Sequence, residues 1–302
     1  IQDGIRLPAG FYGVGYDYSN SNTVDYYTLN TIDILKGPAS SLYGSDALGG
    51  VVSYNSLTVD DLLEDGEDFT VEIPASFNGA NNSYSGAGRV AYRDEESGVS
   101  FLAVLSSSEA EELNPNDAPK IYVNDAEIST TAALINVNKQ INPSNKIGLT
   151  IDTYSKDSDI ARATGNLSTS YFNYTKQESD IKQTKNRYIF SWEHDVLEKS
   201  NFVDNLKAKI YYQDFETKDN WNEFQAETYS RGRLVNQDRD VYSRYKLVDD
   251  SYGLDLQFGS NIDNHQLTYG LDYSLTSNEY SQDKYTNTNG TISHTYYRTN
   301  YP

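Results

Sequence analysis

Between residues 69 and 276 the chain alternates apolar and polar positions with a period of two, the mark of strands that have one apolar face. The clearest stretch sets His265, Leu267, Tyr269, Leu271, Tyr273 and Leu275 against Gln266, Thr268, Gly270, Asp272 and Ser274. Likewise Tyr252, Leu254, Leu256 and Phe258 oppose Asp255 and Gln257, and Leu206, Ala208, Ile210 and Tyr212 oppose Lys207, Lys209 and Gln213. Tyr188, Phe190 and Trp192 oppose Arg187, Ser191 and Glu193, and Ile147, Leu149 and Ile151 oppose Lys146, Thr150 and Asp152. Tyr84, Val90 and Tyr92 oppose Ser83, Ser85, Arg89 and Arg93. Residues 69–77 alternate too, but Pro74 on the polar face removes a ladder donor and weakens that strand. The pattern predicts roughly nine strands of about 9 to 13 residues, against a usual strand of about 5 to 6. Helical patterning is scarce, with one short candidate at 59–63.

Strand length matters here, because a tilted strand of about 9 to 11 residues spans a bilayer. The connections alternate as well. Short ones fall near 94–97, 142–145, 197–201 and 260–264, and long polar ones near 109–129, 156–181, 218–242 and from 282 onward. Short turns at one end and long loops at the other characterise an outer-membrane barrel, with the apolar face toward lipid and the polar face toward the lumen. A soluble β-sandwich or adhesin repeat also alternates, yet it has no need of strands this long or of loops sorted by length.

Composition then changes its meaning. Only 37% of residues are hydrophobic, and no apolar run approaches the ~18 residues of a spanning helix, so hydropathy alone reads as soluble. The 27 Tyr fit better in aromatic girdles at two membrane interfaces. Low hydropathy with a net charge of −20 is also the signature of disorder, but disordered chains are poor in the aromatics that recur here. That charge argues against a nucleic-acid partner. The absence of Cys removes disulfides, thiolate metal sites and Cys nucleophiles. Residue 1 is Ile and there is no Met, so the sequence is expected to be a piece of a longer chain.

Residues 1–66 read differently. Ile32-Asp33-Ile34-Leu35-Lys36-Gly37-Pro38-Ala39-Ser40-Ser41-Leu42-Tyr43-Gly44-Ser45-Asp46-Ala47-Leu48-Gly49-Gly50-Val51-Val52 reads as a short strand, a Gly-Pro turn, a compact helical turn ended by Gly44, a Gly-Gly bend and a second strand. The segment resembles the end of the plug domain of TonB-dependent outer-membrane receptors, with both glycine pairs in place. Its wording is most similar to the haem and haemoglobin receptors, a group that includes transferrin and lactoferrin receptors. Asp3-Gly4-Ile5-Arg6-Leu7-Pro8 resembles a plug strand of that group, and Asp60-Asp61-Leu62-Leu63 resembles the Asp-Leu-Leu that precedes its first barrel strand.

The resemblance implies the C-terminal part of an α+β plug domain over 1–66. It is followed over 67–302 by the N-terminal part of an all-β transmembrane β-barrel, about nine strands of a barrel of roughly 22. It implies no covalent chemistry and no catalytic residue. A scarce iron-containing ligand, haem, haemoprotein or another iron chelate, is bound outside and imported with energy from the TonB–ExbB–ExbD system of a Gram-negative cell. No cofactor is held permanently and no metal site is expected. The TonB box and early plug are expected to lie outside this sequence. A siderophore or other metal-chelate receptor is the nearest alternative; a passive porin or β-rich surface adhesin is an alternative of another class and would lack the plug segment.

The plug-motif residues Lys36, Gly37, Pro38, Ala39, Ser40, Leu42, Tyr43, Gly44, Ala47, Gly49 and Gly50 are expected to fix the plug fold and its gating. Haem capture needs an axial ligand, usually His or Tyr. His194 and His265 flank short turns at the inner rim, whereas His294, with Tyr296 and Tyr297, is expected in a long external loop as a candidate ligand-binding set. Arg89, Arg93, Glu193, Lys207, Lys209 and Asp255 are expected to face the lumen and hold the plug by hydrated polar contacts that permit movement.

Overall fold

The computed structural model describes residues 1–8, 23–38, 47–113, 124–162, 173–196, 203–262 and 265–301. The first part holds two antiparallel strands, β1 (Leu29–Lys36) and β2 (Gly50–Ser56), in the register Ile32↔Tyr54 and Ile34↔Val52. Two short 3-10 turns bracket them. In the first, Tyr26–Thr28, the Asp25 carboxylate accepts from the Tyr27 amide at 2.8 Å. In the second, Val59–Asp61, Asp61 accepts from the amide and hydroxyl of Thr58, both at 2.7 Å. The helical signal at 59–63 is thus a single capped turn.

The rest forms one 11-stranded antiparallel sheet. Its strands are β3 (Phe69–Glu72), β4 (Ala75–Asn78), β5 (Ser83–Asp94), β6 (Val99–Glu111), β7 (Asp125–Asn142), β8 (Asn145–Ala161), β9 (Tyr174–Asp195) and β10 (Asn205–Gln225). After a small hairpin of β11 (Thr228–Ser230) and β12 (Arg233–Asn236), the sheet resumes with β13 (Arg239–Ile262), β14 (His265–Thr288) and β15 (Thr291–Tyr301). Each strand pairs with its neighbour in sequence, and β3 and β4 both pair with β5. They are one strand broken at Pro74, whose carbonyl accepts from the Ala87 amide at 2.9 Å. Counted so, the described residues supply the nine strands expected before residue 276, and β15 adds another. The sheet is part of a β-barrel wall, and the described residues are nearly all β.

The strands are longer than the pattern predicted. β7–β10, β13 and β14 run 17 to 24 residues, into segments expected to be long loops. The outward side chains explain the discrepancy. On β9 they change from Trp192, Phe190 and Tyr188 to Lys182 and Asp180, and on β10 from Ile210 and Tyr212 to Lys218 and Asn220. The ladder continues past the apolar band, but without the apolar–polar contrast that marks a strand in sequence.

The two faces of the wall are distinct. Leu271 and Tyr273 on β14 are 59% and 58% exposed, and Tyr188, Phe190, Leu149 and Ile210 join the same outward apolar surface. Tyr188, Tyr212 and Tyr252 lie on one rung, with ring centroids 6.3 Å and 4.7 Å apart. The inward face along β8–β10 sets buried charges (Asp152, Lys185, Arg187) beside Ile189, Tyr211 and Phe215, while along β5–β7 its buried part is apolar. There Ala87, Ala91, Leu102, Val104 and Leu134 pack against Tyr27, Leu57, Val59 and Leu63 of the first part in one buried cluster. The expectation of purely hydrated contacts is corrected: one side of the first part is sealed by apolar packing.

Candidate functional site

On the opposite side, the chain's first residues meet the barrel wall through charge. Gln2 and Ile5 exchange backbone hydrogen bonds of 2.8 and 2.9 Å, and the Asp3 amide donates to Tyr54 O at 2.9 Å, which ties the segment to β2. The tight turn puts Asp3 at φ +53, a left-handed conformation that Asp tolerates better than most residues. Its carboxylate accepts from the Ser56 amide at 2.8 Å, the Ser56 hydroxyl at 2.7 Å and Arg187 Nη2 at 2.6 Å.

Arg187 and Lys185 are two residues apart on β9, so both point inward, and both are fully buried. Arg187 Nη1 donates to Gln2 O at 2.9 Å, and its Nη2 lies 2.9 Å from Asp152, which sits directly opposite on β8. Lys185 Nζ bridges Asp152 at 3.1 Å and Gln2 Oε1 at 2.9 Å. Lys209 on β10 donates to Asp3 O at 2.9 Å, and Gln213 to Arg6 O at 3.2 Å. A Cβ on Gly4 would lie 3.9 Å from Asp255 Oδ2 and 4.0 Å from Lys209 Nζ. Three cations (Lys185, Arg187, Lys209) therefore meet three carboxylates (Asp3, Asp152, Asp255). Ile5 completes the contact in a buried cluster with Ile189 and Tyr211, and the Tyr211 ring lies over Gly253, where a Cβ would be 2.2 Å from it.

Burial pushes the Asp3 carboxyl up, but Arg187, the two Ser56 bonds and Lys209 outweigh it and hold the group below its ordinary value. A depressed acid contributes its full stabilisation above the unfolded-state pKa, about 3.9, and loses it as pH falls through the lower folded value. Limited proteolysis of residues 1–66 in the full-length protein should therefore be unchanged between pH 7 and pH 5. Asp3→Asn should raise cleavage at both values. A loss of protection already complete at pH 5 in the parent would contradict this.

Elsewhere Arg89 donates to Tyr27 O from Nε at 3.2 Å and Nη2 at 2.9 Å, and pairs with Glu72 at 3.2 Å. Arg93 pairs with Asp60. A cavity of about 510 Å³ lies between the Ser56–Asp60 stretch and the inward face of β6–β10, lined by Asn136, Asn138, Thr150, Ser191, Arg93 and Lys209.

The structure brings the described plug-motif residues together. Lys36 ends β1 opposite Gly50, and the Gly37 amide donates to Gly49 O at 3.2 Å. Pro38 follows this closure and Ala47 is buried, while Ala39, Ser40, Leu42, Tyr43 and Gly44 lie outside the described residues. Gly50 has φ +148, and a Cβ there would be 2.5 Å from the Leu35 carbonyl oxygen; Gly37 has φ +116 with nothing within 4 Å. Gly50→Ala should therefore cost about 1–3 kcal/mol and exceed the cost of Gly37→Ala. Thermal unfolding of the two variants tests the order, and equal losses would contradict it.

The candidate His–Tyr set does not converge. His294, Tyr296 and Tyr297 lie on β15, paired with β14, rather than in a loop. His294 and Tyr296 are on the outward face, where the imidazole stacks on Tyr285 with centroids 4.3 Å apart and meets Asp283 at 2.5 Å. Tyr297 faces inward, 6.1 Å from Tyr280. The missed signal was Asn289-Gly290, a two-residue hairpin turn with φ of +50 and +82. His194 is held by Asn145 at 3.0 Å beside the short turns. Sequence reasoning also missed the cluster of Asp152, Lys185 and Gln2. Its signal was two cations, at 185 and 187, on a polar face opposite an acid.

Residues 1–51 match the family model described as TonB-dependent Receptor Plug Domain. A hemin receptor from Yersinia pestis is 30% identical over 134 residues, 44% of this chain and 18% of that protein. Heme/hemopexin utilization protein C of Haemophilus influenzae is 44% identical over 54 residues, 18% of this chain and 8% of that protein. The chain thus spans less than a fifth of these curated relatives. Among solved structures, the FrpB iron transporter of Neisseria meningitidis aligns with a TM-score of 0.52 at 11% identity, covering 92% of this chain and 50% of that one. BauA, the ferric preacinetobactin receptor of Acinetobacter baumannii, also gives 0.52 at 11% identity, covering 99% and 52%. At that identity the structures show the fold alone: a plug segment followed by barrel strands.

Proposed function

We propose that this chain is part of a TonB-dependent receptor of the Gram-negative outer membrane, an active importer of haem or a haemoprotein-derived iron ligand. The observation that carries the reading is the buried ionic contact of residues 1–6 with the lumen wall, in a chain whose plug segment matches the family model. The haem assignment is supported by the relatives whose names specify hemin and heme–hemopexin use.

The division at residue 66 is supported by the last apolar contact, Leu63, and by the first wall strand beginning at Phe69. In the mechanism proposed, ligand binds from outside, and TonB, energised through ExbB–ExbD, pulls on the plug from its N-terminal side. Residues 1–6 are then the first part of this chain to bear load. A cluster of ion pairs yields to water once displaced, because each charge regains hydration, whereas the apolar seal along β5–β7 has no such compensation. The reading is that the charged side opens along the existing cavity and the apolar side stays. The plug-motif residues from Lys36 to Gly50 keep the β1–β2 unit intact during the pull.

The test is growth of a strain lacking its own haem receptors, supplied with the full reading frame and with haem as sole iron source. Growth that also requires an intact TonB supports the reading. Growth on a ferric siderophore but not on haem overturns the haem assignment.

A further inference from the structure

The wall beneath residues 1–6 has a charge that the chain as a whole does not share. The registers and the alternation of each strand put Lys146 on β8, Lys185 and Arg187 on β9, and Lys207 and Lys209 on β10 on one inward strip. Its acids, between the rung of Lys185 and that of Glu193, are Asp152, opposite Arg187, and Glu193, opposite both Lys146 and Lys207. Five cations thus meet two carboxylates on three strands, in a chain of net charge −20. Asp255, opposite Lys209, and Asp272, opposite Asp255, bound the strip on β13 and β14. The strip continues from the contact with residues 1–6 into the cavity of about 510 Å³, which Lys146, Glu193 and Lys209 line.

What residues 1–6 bring to this strip is almost wholly acceptor. The Asp3 carboxylate takes Arg187 Nη2 at 2.6 Å, and the Gln2 and Asp3 carbonyls take Arg187 Nη1 and Lys209 Nζ, both at 2.9 Å. Gln2 Oε1 takes Lys185 Nζ at 2.9 Å. Even so, the buried Arg187 Nε meets no acceptor among the described residues. Withdrawing the segment removes four acceptors and leaves Lys185 and Arg187 with Asp152 alone, so the bared wall calls for an anion. We propose that this strip is a transit site for carboxylates of the imported ligand, and that Asp3 fills it in the resting receptor as a stand-in for one of them. The inference rests on the reading of the chain as an importer whose residues 1–6 leave the wall, and adds what the ligand meets there. A lumen lined by Lys and Arg passes anions when each contact is firm enough to draw them in and weak enough to release them. A guanidinium beside ammonium groups suits carboxylates, whether these are porphyrin side chains or the arms of a ferric chelate. Lys146 and Lys207 lie between the Asp3 contact and the short turns, so they come last on the route.

The side chain of Asp3 beyond its Cα matches acetate in shape and charge, and glycine accepts the φ of +53 found there. The full-length Asp3→Gly receptor in detergent should therefore lose protease protection of residues 1–66 and regain it with acetate but not with acetamide. In cells, Lys146→Gln and Lys207→Gln should each slow TonB-dependent uptake roughly tenfold with surface binding unchanged, while Lys146→Arg and Lys207→Arg keep the parent's rate. Uptake is read with haem, with haem dimethyl ester and with ferric citrate. Slowing of haem but not of its ester supports the proposal with porphyrin carboxylates as the cargo, and slowing of ferric citrate alone supports it with a chelate's. Protection that acetate does not change, or rescue by acetamide as well, overturns it. So do glutamine variants that slow none of the three, or that slow the ester as much as haem. Failure of the importer reading looks different: acetate still rescues Asp3→Gly, yet the parent shows no TonB-dependent uptake of any of the three.

Discussion

Replacing Arg187 by alanine in the full-length receptor is expected to unseat residues 1–6 from the barrel wall. The guanidinium is fully buried and serves two carboxylates and a carbonyl: Asp3 at 2.6 Å, Asp152 at 2.9 Å and Gln2 O at 2.9 Å. Its loss leaves Asp3 with only Ser56 and its more distant cation, and Asp152 with Lys185 alone. Breaking one partner out of a buried ionic group costs about 3–5 kcal/mol, because the charge left behind is neither hydrated nor neutralised. The cost falls on the contact between the plug and the wall, since β9 keeps its ladder on both sides. Faster proteolysis of residues 1–66 in outer-membrane vesicles, together with entry of bulky solutes that the intact membrane excludes, is the expected readout. Asp3→Asn should cost less, since the amide oxygen can still accept from Ser56. Added to Arg187→Ala, it should cost less than it does alone. Wild-type protease protection in Arg187→Ala would show that the ion pairs do not hold the plug.

Leu271→Arg carries the second large effect. Leu271 points outward from β14 among Leu267, Tyr269, Tyr273 and Leu275. Arginine on the lipid face of an outer-membrane barrel costs about 2–4 kcal/mol at the bilayer midplane. Gln257, opposite Gly270 on β13, faces the lumen, and Gln257→Arg should stay within about 0.5 kcal/mol, as exposed polar sites do. Assembly yield in the outer membrane and unfolding in lipid vesicles compare the two. A soluble sheet would leave Leu271 in water and tolerate both substitutions equally, so equal behaviour would contradict a lipid-facing wall.

The wall was legible in sequence where its two faces meet different solvents. Lipid on one side and a hydrated lumen on the other impose the alternation of Leu267 through Leu275, and the expected strand count follows from it. Above the band the outward positions turn polar, with Lys182, Lys218 and Lys246, while the inward face mixes Ile181, Trp221 and Tyr245 with polar residues, so the contrast that marks the apolar band is gone. The same ladder then reads as loop, and His294 is misplaced with it. The β1–β2 pair was legible because Gly37 and Gly50 need backbone conformations that few residues adopt. The ionic contact was not. Gln2 and Lys185 are 183 residues apart, and no local period links them. Asp3 and Arg187 were each visible, one as part of a motif and one as a polar-face charge, but only the folded chain brings them together. The apolar seal was missed for a related reason: Leu102 and Val104 point into the lumen, where the alternation rule expects polar residues, because Tyr27 and Val59 cover them.

The central claim is that residues 1–6 leave the wall during import. This chain has no Cys, so Arg6→Cys with Gln213→Cys, at positions linked by the bond from Gln213 to the Arg6 carbonyl at 3.2 Å, can be joined by a reducible bifunctional thiol reagent. Haem uptake by cells carrying this pair should stop when the pair is crosslinked, with haem binding at the surface retained, and should return on reduction. Import by the crosslinked receptor at the rate of the reduced one would contradict the account.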